Sequence, residues 1–358
     1  MRVGFLVHWN EGDESGVFKK VVSQIRQWRA QGTIVSLHVI SRRSTLEIWQ
    51  RYLQDIPITL HRYHGATRFR AWRDAVKALR AQCPDLVYHR YDLYMPVFKS
   101  LSRDFPLILE VNTDDLSEYC LKKGLRCWYN RATRSLLLRQ AAGLVFMTWE
   151  LSKSLHFSQY RKPYSVIPNG INLEDFRPLP AARNEQPRLI FLGTDGQPWH
   201  GVDKIVCMAQ LFPRWRFDVV GIRQIRFRQL PANVHFHGPL SRQAYESLLA
   251  QADIAIGTLA LHRNKMEEAC PLKVREYLAY GLPVIIGHKD TDFINGAPFI
   301  LELPNTEDNV DISAGAIADF VHEWKGKRVP RETISHLDIR LKESQRLAFF
   351  REVVEEWN

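Results

Sequence analysis

Apolar positions along the chain fall into two rhythms that alternate from end to end. Short runs rich in Val, Ile and Leu, such as RVGFLV, TIVSLHVI, DLVYHR, LILEVN and GLVFMT, read as buried strands. Between them lie stretches whose apolar residues recur at helical spacing; FKKVVSQIRQWRAQG, closed by Gly32, is a predicted helix. This alternation is the mark of parallel α/β layers. The rhythm breaks in YSVIPNGINLEDFRPLPAARNEQP, where four prolines and the Asn169-Gly170 turn signal predict a linker. It then restarts with strands RLIFLG, RFDVVG, NVHFHG, DIAIGTL and LPVIIG, and with helices GVDKIVCMAQLF, SRQAYESLLAQA and one running through Tyr280. RLKESQRLAFFREVVEEWN ends the chain as a strong helix. The pattern predicts two Rossmann-like, doubly wound domains over residues 1–178 and 179–340, facing across a ligand cleft. The helix over 341–358 is expected to cross back to the first.

Composition narrows the class. With 358 residues, 45% of them hydrophobic, the chain can fill two cores. Its apolar runs are far too short to span a bilayer, and MRVGFLVHWN reads as a first strand in place of a signal peptide. The five scattered cysteines include no C-x-x-C, which predicts neither a disulfide framework nor a zinc module and suits a reducing, cytoplasmic setting.

Charge adds a further constraint. The formal net charge is +10, and residues 1–180 hold 27 Lys and Arg against 16 Asp and Glu, so the excess lies in the first half. Nucleic acid, an anionic membrane surface and an acidic substrate are the partners such a face can serve. No helix-turn-helix, zinc-finger or RNA-recognition signature accompanies it, so nucleic acid is not expected. In FRAWRDAVKALR, Phe69, Trp72, Val76 and Leu79 fall at helical spacing among basic residues. That stripe can lie on anionic headgroups or face the core.

The chemistry concentrates in EEACPLKVREYLAYGLPVI, residues 267–285. Pro271 suits the first position of a helix, Gly281 the residue just past its end, and Pro283 stops it. A helix starting there presents free backbone N–H groups and partial positive charge, which suits an anion. Lys273 in its first turn opposes that dipole, a placement that makes sense with a phosphate in front of it. Glu268 before the helix and Glu276 within it can each accept hydrogen bonds from vicinal hydroxyls, which together suits a sugar nucleotide. Two glutamates eight apart also occur on ordinary solvated helix faces, and spacing alone does not separate the two.

The run from Glu268 to Ile285 resembles the E-x7-E signature of glycosyltransferase family 4, retaining enzymes of the GT-B fold. SVIPNGINLEDFRP, FLGTDGQPWHGVDKIV, NVHFHGPLSRQAYESLLAQADIAI and LILEVNTDD resemble further segments of that family, so the likeness covers most of residues 85–293. It implies a glycosyltransferase that needs no metal or other cofactor beyond a nucleotide diphosphate sugar donor. By position, Glu268 would bind hydroxyls of the transferred sugar and Glu276 those of the ribose. Backbone near Cys270, Pro271 and Leu272 would border sugar and diphosphate, and Gly238 would lie near the base. Gly16 matches the glycine-containing loop before the first helix. Asn112 stands where many members carry a histidine beside the reacting sugar. Many members also have an Arg after the glycine matched by Gly193 and a Lys before the one matched by Gly201; here Thr194 and His200 fill those places. The diphosphate charge then falls to a protonated His200, or to Lys273, Lys204 or Arg263, with Lys273 assisted by His200 the expected pair.

The implied acceptor is a growing glycan or a lipid-linked saccharide, with the protein cytoplasmic and peripheral at the inner face of the cytoplasmic membrane. A soluble small-molecule acceptor is the alternative, followed by a sugar-nucleotide epimerase or phosphorylase of the same fold, or a non-catalytic basic binding protein. Four weaker signals stand beside these. Asp290-Thr-Asp292 is a D-x-D and more often a loop and cap feature than a metal site. The pairs His61/His64 and His235/His237 lack a third ligand. His8 with Glu11, Asp13 and Glu14 can recognise acceptor, and His89-Arg90 can meet an acceptor phosphate.

Overall fold

The computed structural model describes residues 1–13, 15–121, 124–223 and 230–357, with only the backbone of 120 and 121. It divides into two compact units, Met1–Pro168 with Ile339–Asn358, and Asn169–Asp338. The division comes earlier than the expected boundary at 178. Residues 169–178 pack with the second unit because Ile171 bridges to Asp338 and Leu173 and Phe176 lie on the second core.

The first unit runs β1 (Arg2–His8), α1 (Gly16–Ala30), β2 (Ile34–Ser41), α2 (Leu46–Tyr52), β3 (Ile58–Arg62), α3 (Arg68–Gln82), β4 (Leu86–Arg90), α4 (Phe98–Asp104), β5 (Leu107–Val111), α5 (Asp115–Leu121), α6 (Leu125–Gln140), β6 (Gly143–Phe146), α7 (Trp149–Lys153), α8 (Leu155–Ser158) and β7 (Tyr164–Val166). Its seven strands pair in parallel in the order β3-β2-β1-β4-β5-β6-β7. The order reverses between β1 and β4, the switch point where doubly wound sheets open a crevice at their carboxyl ends.

The second unit runs β8 (Arg188–Leu192), α9 (Val202–Leu211), β9 (Arg216–Val220), β10 (Val234–Gly238), α10 (Arg242–Gln251), β11 (Ile254–Ile256), β12 (Glu268–Ala269), α11 (Leu272–Ala279), β13 (Val284–Ile286), β14 (Lys289–Asp290), β15 (Ile300–Glu302), α12 (Asn309–Ile312) and α13 (Ala314–Trp324). Its main sheet is parallel in the order β10-β9-β8-β11-β13-β15, while β12 and β14 form a separate two-stranded pair. The switch point lies between β8 and β11.

The last helix, α14 (Ile339–Trp357), packs against α1 of the first unit. Buried Arg346 bonds Glu343 at 2.8 Å and the Tyr88 hydroxyl at 2.7 Å, and Glu343 accepts from the Trp28 indole at 2.7 Å. ITLHR, which alternates too weakly to read as a strand, forms the edge strand β3. In α3, Trp72, Val76 and Leu79 are buried and only Phe69 of the stripe is exposed. That stripe therefore faces the core, and the reading in which it lies on a membrane is set aside. Cys83, Cys207 and Cys270 are free thiols, whereas Cys127, facing inward from α6, is disulfide-bonded. The scattered spacing had predicted no such bond. No helix among the described residues is long and apolar enough to cross a membrane.

Candidate functional site

The second unit gathers most of the predicted residues at the carboxyl ends of its strands. Helix α11 begins at Leu272, with Pro271 its N-cap in place of the expected first helical residue. No side chain caps this terminus and no acidic residue stands in its first turn, which leaves its first N–H groups without a side-chain partner. The other end closes as the sequence implies. Gly281 adopts φ +85°, its N–H bonds Leu278 O and the Leu282 N–H bonds Tyr277 O, a Schellman arrangement that requires the left-handed residue.

Lys273 lies at the start of this helix with its Nζ 4.3 Å from the centroid of the Phe191 ring. Its ammonium is buried and has no hydrogen-bond partner. Burial draws its pKa down from 10.5 to about 7. The same Phe191 ring meets His200 edge-on at 5.5 Å. His200 is hydrogen-bonded to the Thr194 backbone, and its Nδ1 is buried without a partner. Burial, with Lys273 adding to it, brings the His200 pKa down to about 3. Without an anion beside it the imidazole is neutral, so any charge on His200 has to come with the phosphate that the sequence reading places there.

Gly193 fits into this corner because a Cβ there would stand 2.3 Å from the Phe191 ring and 3.2 Å from His200 Nδ1. Gly201 caps α9 at φ +70°. The two other candidate cations are already committed. Lys204 Nζ bonds the carbonyl of Glu307 and, at 3.1 Å, its carboxylate. Arg263 grips both oxygens of Asp203 at 2.8 and 2.7 Å and both of Glu307 at 2.8 and 2.6 Å. Of the four groups proposed to neutralise a diphosphate, only Lys273 is a buried cation without a partner.

Glu268 sits on β12, beside β14. Glu276, from α11, accepts a hydrogen bond from Tyr245 of α10 at 2.8 Å, a partner that sequence reasoning missed. Cys270 is buried; its carbonyl accepts from the Asn169 side chain at 2.9 Å, and burial pushes its thiol up to about 11. Gly238 ends β10, and its carbonyl accepts from Gly221 at 2.7 Å.

Arg275, also missed, explains the D-x-D. It is fully buried and donates to both oxygens of Asp290 at 2.7 and 2.8 Å, to Asp292 at 2.8 Å and to Asn169 O at 3.1 Å. These aspartates are the counter-ions of an arginine that ties α11, β14 and the Asn169-Gly170 turn together. The histidine pairs are likewise structural. His61 packs on His38 at 3.2 Å and His237 bonds Asp218 at 2.7 Å. Among the described residues, no group of three His, Cys, Asp or Glu is arranged to hold a metal.

Asn112 and Gly16 belong to the first unit. Gly16 is the exposed first residue of α1, next to its cap Ser15. Asn112 lines a cavity of about 340 Å³ at the ends of β1, β4 and β5, with His8, Arg90, Asp92, Glu118 and Arg126 among its walls. Its amide is locked: Oδ1 accepts from Lys20 at 3.0 Å and Nδ2 donates to Glu110 O at 3.2 Å. Asp92 accepts from His8 at 2.6 Å, from Tyr119 at 2.9 Å and from Arg68 and Arg126 at 3.4 Å. Burial pushes its carboxyl up, but the His8 bond and the Arg68 charge outweigh that and hold it well below the usual range. Glu118, in contrast, is raised by burial.

Of the weaker signals, Glu11 lines this cavity, Asp13 meets the Tyr52 hydroxyl at 3.3 Å, and Glu14 lies outside the described residues. His89 does not reach the cavity as expected. Its ring is buried against Trp72 and Phe98 and bonds Leu6 O at 2.9 Å, while Arg90 does line it.

The model of the family described as Glycosyl transferases group 1 matches residues 174–291, the stretch that carries this cradle. No curated protein matches the chain. Among solved structures, the chain is similar to the apo form of the lipopolysaccharide outer core galactosyltransferase WaaB, with a TM-score of 0.68 at 13% identity, covering 100% of both chains. It is similar to a glycosyltransferase from Rickettsia africae, with a TM-score of 0.67 at 14% identity over 99% of each chain. Anabaena Alr3699/HepE in complex with UDP-glucose gives a TM-score of 0.60 at 13% identity, again over 99% of each. The two parallel Rossmann-like units are thus those of a GT-B fold.

Proposed function

We propose that this protein is a retaining glycosyltransferase that moves a sugar from a nucleotide diphosphate sugar to a glycan or lipid-linked saccharide acceptor, without a metal. The observation that carries the reading is the buried, unpartnered Lys273 ammonium at the uncapped start of α11. A cation held at a cost in that place has its reason in an anion that arrives later. HepE, similar in fold, is a UDP-glucose complex, which supports a nucleotide sugar as that anion's source.

Breaking the bond from anomeric carbon to phosphate builds negative charge on the leaving diphosphate and oxocarbenium character on the sugar. Fixed N–H donors and Lys273 stabilise the leaving group. An arriving phosphate also raises the lysine's proton affinity, so Lys273 is charged when it is needed. His200 assists from beside it, its unpartnered Nδ1 able to donate once the phosphate brings a proton to the ring. Glu268 and Glu276 take hydroxyls of sugar and ribose, with Tyr245 holding the second carboxylate in place. Retention follows the resemblance of the E-x7-E run, with the leaving phosphate helping to remove the acceptor proton and no carboxylate nucleophile. The first unit's cavity, lined by amide, carboxylate, guanidinium and aromatic groups, suits a hydroxylated acceptor.

A thermal-shift and calorimetry panel of UDP-, GDP-, ADP- and dTDP-sugars tests the reading, since a ligand of the folded state raises Tm by mass action. One selective binder, lost in Glu268→Ala and Glu276→Ala without loss of fold, is the expected result. Wild-type affinity in both variants would contradict the site assignment.

A further inference from the structure

Helix α6 is unlike the other helices of the first unit in what it leaves uncovered. Its sequence, LRCWYNRATRSLLLRQ, holds four arginines and no acidic residue. Its inner face buries Cys127, Asn130, Leu137 and Leu138, and Arg134 pairs there with Asp115 at 2.8 Å. Leu125, Trp128, Ala132 and Leu136 recur at helical spacing on the outer face. Leu125 is 91% exposed and Trp128 is 78% exposed, large apolar side chains that a surface helix ordinarily turns inward. Arg131 and Arg126 flank that stripe on opposite sides, and exposed Arg139 continues it. Arg126 also reaches into the first unit's cavity, donating to Asp92 at 3.4 Å and stacking 4.4 Å over the Tyr119 ring. The cavity mouth therefore adjoins the start of this face.

We propose that the outer face of α6 docks on an anionic lipid bilayer and holds the mouth of the first unit's cavity at the headgroup layer. Leu125 and Trp128 insert at the acyl boundary, where an amphipathic indole is at home, while Arg131 and Arg139 meet lipid phosphates and lay their stems along apolar surface. A purely apolar face would suit another protein equally. The absence of any acidic residue from α6, with arginines on both flanks, selects a uniformly anionic surface over a mixed-charge protein patch. The face is distinct from the basic side of α3, whose large apolar residues other than Phe69 are buried. The proposal deepens the lipid-linked arm of the function above, but its readout does not depend on sugar transfer.

The test is co-sedimentation of the full chain with phosphatidylcholine vesicles, with and without phosphatidylglycerol, run alongside the donor-binding panel. Wild type should bind only the vesicles containing phosphatidylglycerol, and added salt should weaken that binding. Leu125→Ser/Trp128→Ser should lower it by more than about tenfold. Arg131→Glu/Arg139→Glu, at exposed sites that leave the core untouched, should do the same. Arg70→Glu/Arg73→Glu on α3 changes net charge equally and should cost far less. Both α6 variants should keep the wild-type melting temperature and donor affinity. Three results would overturn the proposal: wild type failing to bind anionic vesicles, α6 variants binding as wild type does, or the α3 reversal costing as much as the α6 reversal. Salt-sensitive binding of single-stranded RNA with no vesicle binding would overturn it as well.

Discussion

Two cations stand two residues apart on α11, and the protein treats them in opposite ways. Arg275 is surrounded by partners: both oxygens of Asp290, one of Asp292 and the carbonyl of Asn169. Lys273 has the Phe191 ring face and, among the described residues, no hydrogen-bond partner. Burying either charge is expensive. Arg275 recovers that cost within the fold by tying α11 to β14 and the Asn169-Gly170 turn. Lys273 recovers only a contact with the Phe191 ring, and burial leaves its pKa depressed. A saturated buried charge is architecture, whereas the unsaturated one at this helix start is, on the function proposed above, the group that meets the anion.

Removing the saturated cation is the harshest test of that contrast. Arg275→Met leaves Asp290 and Asp292 buried without a counter-ion and should cost about 3–5 kcal/mol of stability, read by urea unfolding. A stable Arg275→Met protein with only its donor affinity changed would erase the distinction. Lys273→Met should weaken donor binding and turnover while sparing the fold. The turnover number is expected to fall about 10²-fold, as for loss of one transition-state donor, while urea stability holds or rises because a desolvated charge is gone.

The pH dependence sharpens the comparison. The unfolded chain keeps the Lys273 proton to 10.5 and the folded one only to about 7, so the unfolded state binds more protons between those values. Stability should therefore rise with pH across that window, and Lys273→Met should remove this rise. Arg275 stays protonated on both sides, so no matching change should accompany the Arg275 variant. The smallest effect belongs to Tyr245→Phe, which removes the 2.8 Å bond to Glu276. It should weaken donor binding by about 1 kcal/mol in calorimetry, with the transfer step unchanged.

What the sequence reveals and what it hides follow the same division. The α/β alternation, the two parallel sheets and the ends of α11 were legible because strand runs, Pro271 and Gly281 act through neighbours in the chain. Which of the candidate cations already has partners was not, although Lys273 was the expected one. Lys204, Arg263 and Lys273 look alike in sequence, and only contacts made far along the chain, from Glu307 to the first two, separate them. Asp290-Thr-Asp292 read as loop and cap residues, and only the fold shows Arg275 placed between their carboxylates. His200 looked titratable because the sequence does not display the burial that brings it to about 3. The α3 and α6 helices show the same limit. Only α3 read as basic and amphipathic, and the packing that buries its Trp72 while leaving Trp128 of α6 outside is set by neighbouring elements.

The central claim is that Lys273 at the start of α11 receives the diphosphate of a nucleotide sugar. Calorimetric titration of wild type and Lys273→Met with the panel's selective nucleotide sugar, at about pH 6 and about pH 9, tests it most directly. A bound phosphate holds the lysine charged, so wild-type affinity should be greatest below pH 7 and fall by about tenfold or more at the higher pH, while the Met variant binds weakly and equally at both. Wild-type affinity that ignores pH, or a Met variant that binds as tightly as wild type, would contradict the account.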